Sequence, residues 1–192
     1  MAKKKALRAD AERNRQRVLE VAEAVFATEG LAVPIDEVAR RAGLGVGTLY
    51  RHFPTKEALF LAIVVDRMER LVDDAQALAG APDPGEAFFG ILARIVREGS
   101  AKRDFMDALS SASADVGRKL AGLKGSFRSA LAVLLERAQD SGTVRRDVSV
   151  LEVLALITGA FASMERLGPS AGGRDRLLAV VCDGLRSSRG KT

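Results

Sequence analysis

Between Val18 and Leu185 apolar residues recur at spacings of three and four, and nowhere do they alternate between turn residues as a strand requires. A chain patterned this way buries its apolar surface by packing helix on helix, so the expected class is all-α. With 192 residues, 47% of them hydrophobic, it suffices for one full domain, or for a small one joined to a larger one. The longest apolar runs are interrupted before they reach membrane-spanning length, and the lysines of MAKKKALRAD lead into no apolar segment with a cleavage site. No membrane association is expected, and the location read from this is cytoplasmic. Cys182 is the single cysteine, which excludes an intrachain disulfide and a cysteine-clustered metal site and predicts a small core residue. The lone histidine has no ligand spacing around it, so neither metal nor cofactor is expected.

The net charge of +5 is concentrated at the front. Lys3, Lys4, Lys5, Arg8, Arg13, Arg15 and Arg17 face only Asp10, Glu12 and Glu20 within the first twenty residues. A run like this is either a solvated tail or an arm for a phosphate backbone, and neighbouring signals must decide.

A first helix is predicted from about Arg8 to Thr28, with Val18, Val21, Ala22, Val25 and Phe26 on one side and a left-handed stop at Gly30. Pro34 opens a short second helix over 35–42, because a first-turn residue has no intrahelical use for its missing N–H. Ile35, Val38, Ala39 and Ala42 share its inner face, leaving Asp36, Glu37, Arg40 and Arg41 outside.

The stretch GLGVGTLYRHFPTKEALF then separates two helical patterns. Gly43 ends the second helix, Leu44 plugs the core, and Gly45 caps a third helix over 46–53. At about 100° per residue, Val46, Leu49 and Phe53 fall together and are expected inside, while Gly47, Thr48 and Arg51 point outward and Tyr50 and His52 occupy the flanks. Small and hydrogen-bonding groups toward base edges, with longer groups toward both walls, is the distribution wanted by a helix in a DNA major groove. A glycine inside a helix costs about 1 kcal/mol against alanine, so Gly47 on the outer face suggests close approach by something bulky. A phosphate-cradling loop is a poor alternative for GLGVG, since that loop follows a strand and a helical pattern precedes it here.

Thr55 is expected to cap a long fourth helix whose first turn carries Lys56, a positive charge opposing the helix dipole. A phosphate bound there would reverse that penalty; Glu57 offers the plainer remedy of offsetting the charge locally.

ERNRQRVLEVAEAVFATEGLAVPIDEVARRAGLGVGTLYRHFPTKEALFLAIV resembles the N-terminal DNA-binding domain of TetR-family transcriptional regulators, including the Ala-Gly turn, TLYRHF and the lysine-glutamate pair. The resemblance implies a three-helix head with a helix-turn-helix over 35–53, a helical effector-binding and dimerisation body, and a dimer bound to a palindromic double-stranded DNA operator. By that likeness Thr48 and Arg51 would meet bases or nearby phosphates, and Tyr50, His52 and Lys56 phosphates; the Thr55 hydroxyl, from its place at the same helix start, would share the Lys56 anion site. Pro34, Gly45 and Val46 stand where the family often has threonine, serine and lysine, so polar contacts are lost there; the basic arm with Arg40 and Arg41 is the expected compensation. The head is assigned to residues 1–55 and the body to 56–192.

In the body, the fourth helix should run to about Ala79, and GAPDPG separates it from EAFFGILARIVREG. Another helix is predicted over 102–111, and Gly117, Gly122 and Gly125 suggest a break before a long amphipathic helix ending at Gly142. Ser149 and Glu152 form a capping box opening VLEVLALITGAFASMERL, and Gly168 with Pro169 closes it. This helix and the following RLLAVVCDGL are apolar over most of their circumference, as fits either a central helix wrapped by its own chain or a four-helix interface between two copies. The resemblance implies the second, a homodimer through about 150–167 and 174–187. AQDSGTVRRDVSVLEVLALITG with RLLAVVCDGL is also similar to the bodies of SbtR-like regulators.

An effector pocket is implied by the same likeness, for an unknown, apolar or amphipathic small molecule. Phe88, Phe89, Leu92, Phe105, Met106, Leu109, Phe127, Leu131, Thr158, Phe161 and Met164 are its candidate lining, with Arg94, Asp104 or Ser110 as anchors; an ordinary core is the competing reading. The expected function is a repressor released from its operator by that effector. The rivals are an effector-independent DNA-binding or architectural protein of the same fold, and an enzyme using the body as a lipid pocket. The last lacks a serine nucleophile elbow, a histidine outside the head and a catalytic carboxylate pair.

Overall fold

The computed structural model describes residues 2–98, 114–167 and 171–187, and among them the regular elements are eight helices. They are α1 (Ala2–Glu29), α2 (Ile35–Ala42), α3 (Val46–His52), α4 (Lys56–Leu78), α5 (Pro84–Glu98), α6 (Ala114–Asp140), α7 (Val150–Leu167) and α8 (Ala171–Leu185). The described residues divide into two compact units, 2–67 with 114–120, and 68–98 with 121–167 and 171–187. The predicted helix over 102–111 lies outside the described residues.

In the first unit, Val18, Leu19, Ala22 and Val25 of α1 meet Ile35, Val38, Ala39 and Ala42 of α2, Leu49 of α3 and Leu59 and Ile63 of α4. All are buried, and the α2 residues are the inner face read from spacing. Pro34 opens α2 from the N-cap, with φ −62° and ψ 145°, and its carbonyl accepts the Glu37 N–H at 3.1 Å. Gly43, at φ 68°, closes α2: its N–H reaches Arg40 O at 3.2 Å and the Leu44 N–H reaches Ala39 O at 3.0 Å. This paired closure needs the left-handed conformation that glycine adopts without a Cβ penalty. It turns the chain within Gly43–Gly45 and lets Leu44 pack against the same core.

The second unit is built on Phe88, Ile91 and Leu92 of α5, Leu131, Leu134, Leu135 and Ala138 of α6, and Val153 and Ile157 of α7, with Leu185 of α8. The Arg137 guanidinium donates to the carbonyls of Ala79 and Ala81 at 2.5 and 2.8 Å, satisfying acceptors where α4 ends. The expected break before Gly125 is absent, because α6 is continuous from Ala114. Leu120 and Phe127 are buried and Leu123 partly so, while a Cβ on Gly117, Gly122 or Gly125 would meet nothing within 4 Å. The three glycines thus weaken helix propensity without breaking the apolar stripe that holds the helix down. The capping box forms as expected: Glu152 accepts from the Ser149 N–H at 2.7 Å, and the Ser149 hydroxyl lies 3.4 Å from the Glu152 N–H. Cys182 is only partly buried on α8 rather than a core residue, and desolvation raises its thiol pKa. No described helix is long and apolar enough to cross a membrane.

Candidate nucleic-acid interface

The short helix α3 is held from beneath by Leu49, fully buried, and by Phe53, the residue that ends it. Val46, expected inside with them, is instead 40% exposed. It is the first residue of α3, where Gly45 supplies the cap through backbone alone and the helix has not yet reached the core. The Gly45 carbonyl accepts from Thr48 and Leu49 N–H at 2.8 and 3.2 Å.

Gly47, Tyr50, Arg51 and His52 are exposed, whereas Thr48, read from the helical wheel as outward, is half-buried. Gly47 has no intramolecular reason to be glycine, since a Cβ there would meet nothing within 4 Å and its φ is not positive. Desolvation, and then a hydrogen bond to and the charge of the neighbouring Asp36 carboxylate of α2, raise the Tyr50 pKa. The Arg15 guanidinium lies 5.8 Å from the centre of the Phe53 ring, tying α1 to the end of α3.

At the start of α4 the Thr55 hydroxyl accepts the Ala58 N–H at 3.1 Å, the predicted cap. Lys56 is half-buried with Nζ 5.8 Å from the centre of the Phe26 ring. The Glu57 pKa is lowered by hydrogen bonds from its own backbone and from Thr55, with Lys56 contributing last. The ammonium of Lys56 thus rests against Phe26, while the Glu57 carboxylate is held chiefly by its own backbone and Thr55.

Arg40 and Arg41 are exposed on α2 but already engaged. Arg40 donates to both Glu37 oxygens at 2.7 and 2.6 Å, and Arg41 donates to Glu37 at 2.7 Å and to Glu29 of α1. The two guanidiniums hold the Glu37 carboxyl at a pKa of about 2. This carboxylate clasp depends on Glu29, twelve residues away from Arg41, and no local pattern signals it.

The second unit contains a groove of about 580 Å³ between α4, α6 and α7. Of the expected effector lining, Phe127 and Thr158 are at this groove. Phe88, Leu92 and Leu131 are fully buried in the core, and Phe89 packs edge-on against Phe88, 5.3 Å between ring centres. Phe105, Met106 and Leu109, with the anchors Asp104 and Ser110, lie outside the described residues, as do the side chains of Phe161 and Met164 on α7. Arg94 is ion-paired with Asp74. The groove's remaining lining, including Lys124 and Arg128 of α6, was not anticipated: their spacing of four is visible in the sequence, but the walls they face come from distant segments.

Two short helices joined by a glycine-closed turn, with the second presenting small and cationic groups outward, define a helix-turn-helix protein. Residues 18–63 match the pattern of bacterial regulatory proteins of the tetR family, and residues 83–187 match the C-terminal domain of SbtR-like transcriptional regulators. The crystal structure of a TetR transcription regulatory protein from Mycobacterium vanbaalenii is 46% identical, over 94% of this chain and 99% of that one, with a TM-score of 0.73. A TetR transcriptional regulator from Streptomyces coelicolor is 33% identical over 91% of this chain and 99% of its own, also at 0.73. An HTH-type transcriptional regulator of Staphylococcus aureus is 41% identical over 59 residues, 30% of this chain, which spans about a third (32%) of that curated relative. The chain belongs to the TetR family of DNA-binding transcriptional regulators, a non-enzymatic family, and carries an SbtR-like C-terminal domain.

Proposed function

We propose that the chain is a repressor that binds a palindromic operator as a homodimer and is released by a small-molecule effector. Residues 1–55 form the DNA-binding head and 56–192 the effector-binding and dimerisation body. The observation that carries the reading is the outer face of α3, where Gly47 and Arg51 are exposed above a buried Leu49. In the major groove Thr48 and Arg51 meet base edges, Gly47 allows the backbone to come close, and Tyr50, His52, Thr55 and Lys56 meet phosphates. Arg40 and Arg41 act as a secondary contact, limited by their carboxylate partners.

Leu156 and Val180 are exposed apolar residues on α7 and α8, which supports pairing of two copies through these helices. Pairing would set two heads one or more helical turns apart on one duplex, about 34 Å per turn. The effector acts by binding one body geometry better than another, which is the only way a ligand shifts such an equilibrium.

Selection of duplexes from a random pool by the full-length protein tests this: an inverted repeat should be recovered. Recovery of no sequence preference would leave an architectural role, and retention of the operator under every effector tried would leave an effector-independent regulator.

A further inference from the structure

The groove in the second unit carries an asymmetry of chemistry. Its apolar walls are Met68 of α4, Phe127 of α6, and Leu151 and Leu154 of α7. Thr158 adds a hydroxyl, but this donates to the Leu154 carbonyl at 2.8 Å and is already engaged. The polar groups left are Lys124 and Arg128, one helical turn apart on α6, and neither makes a hydrogen bond or ion pair with a described residue. Most arginines described elsewhere in the chain are paired: Arg94 with Asp74, Arg145 with Asp147 and Arg146 with Asp140 in this same unit. Among the described residues no carboxylate lines the groove.

We infer that the groove binds a small amphipathic anion, with its apolar body along Met68, Phe127 and Leu154 and its carboxylate-like head between Lys124 and Arg128. The volume of about 580 Å³ lies within the range of small-molecule sites, about 300–1,000 Å³. Two cations beside an apolar wall favour a ligand bearing one anionic end over a neutral or cationic one, because charge-assisted hydrogen bonds to Arg and Lys reward only the anion. The charge also selects against the groove of a second copy, which would bring the same cations. This assignment rests on the proposed effector-responsive body and names the chemical class of the effector.

Titration calorimetry of the full-length protein with dodecanoate, dodecanol and dodecyltrimethylammonium tests it, with operator release measured in parallel. Dodecanoate should bind at least about tenfold more tightly than dodecanol, and the ammonium compound more weakly still. Lys124→Gln with Arg128→Gln should bring dodecanoate down to the level of dodecanol. Gly125→Leu fills the groove from a helix position where a Cβ meets nothing within 4 Å; it should keep or raise the melting temperature while removing dodecanoate binding. Equal binding of dodecanoate and dodecanol, no binding of either, or a Gly125→Leu protein that binds as before would overturn the site. Conversion of that variant to monomer would show instead that the groove is an interface between copies, and would also overturn it. Selective dodecanoate binding that leaves operator affinity unchanged would keep the site and remove the effector-release reading.

Discussion

The guanidinium of Arg41 on α2 forks onto the carboxylate of Glu29 at the end of α1, with Nη2 3.1 Å from Oε2. The contact ties the turn before the helix-turn-helix to the helix that leads into the recognition element, and Glu37 shares the same guanidinium. An arginine held this way is less free to meet DNA than its exposure suggests. Arg41→Ala should therefore weaken operator binding less than Arg51→Ala, measured by fluorescence anisotropy at one fixed salt concentration. A larger loss for Arg41→Ala would make the clasp a store of DNA contacts.

The same clasp has a pH signature. Arg40 and Arg41 lower the Glu37 pKa from 4.5 to about 2, and Arg41 lowers that of Glu29. A carboxylate whose pKa is depressed on folding adds stability above its unfolded value, and that contribution is lost as pH falls through the folded one. The protein should lose it between about pH 4.5 and pH 2. Both carboxylates are in contact with solvent, so screening keeps the effect small. Calorimetric scans across that window should show a shallower acid decline for Glu37→Gln than for wild type; superimposable declines would remove the clasp from the stability of the head.

Gly47 separates folding from binding. With open space at its Cβ and an ordinary φ, Gly47→Ala should stabilise the head by up to about 1 kcal/mol through helix propensity. Gly47→Leu should fold as well but bind operator at least about tenfold more weakly, since the side chain projects where the duplex must approach. Melting curves and binding isotherms on the same samples check both. Full operator affinity in Gly47→Leu would mean that α3 does not enter the groove by this face.

Leu156 and Val180 are 46% and 68% exposed, an apolar exposure on two adjacent helices that water does not favour. Leu156→Glu with Val180→Asp should convert a dimer to a monomer by sedimentation and leave each chain helical. An unchanged dimer would place the interface on another face.

Much of this architecture is written in local chemistry. Gly43 followed by Leu44 announces the turn because only a left-handed residue closes α2 while an apolar follower drops into the core. Ser149 and Glu152 announce α7 because reciprocal hydrogen bonds need only three residues of separation. Val46 misleads, because angular position on a helix does not tell how far its first residue stands from the core. Gly117, Gly122 and Gly125 mislead because their cost is local, whereas the burial of Leu120 and Phe127 that overrides it is tertiary. The Arg41–Glu29 contact and the groove beside Lys124 and Arg128 join segments distant in sequence, and periodicity carries no information about such meetings.

In the proposed complex, α3 reads bases while the start of α4 grips the backbone. This is tested most directly by selecting duplexes with wild type, Arg51→Ala and Lys56→Ala, and then measuring the salt dependence of each on the recovered site. Arg51→Ala should change base preference at a defined operator position, and Lys56→Ala should keep the preference, weaken all sites alike and lower the salt slope by about 1. Identical preferences and slopes for all three proteins would remove both roles.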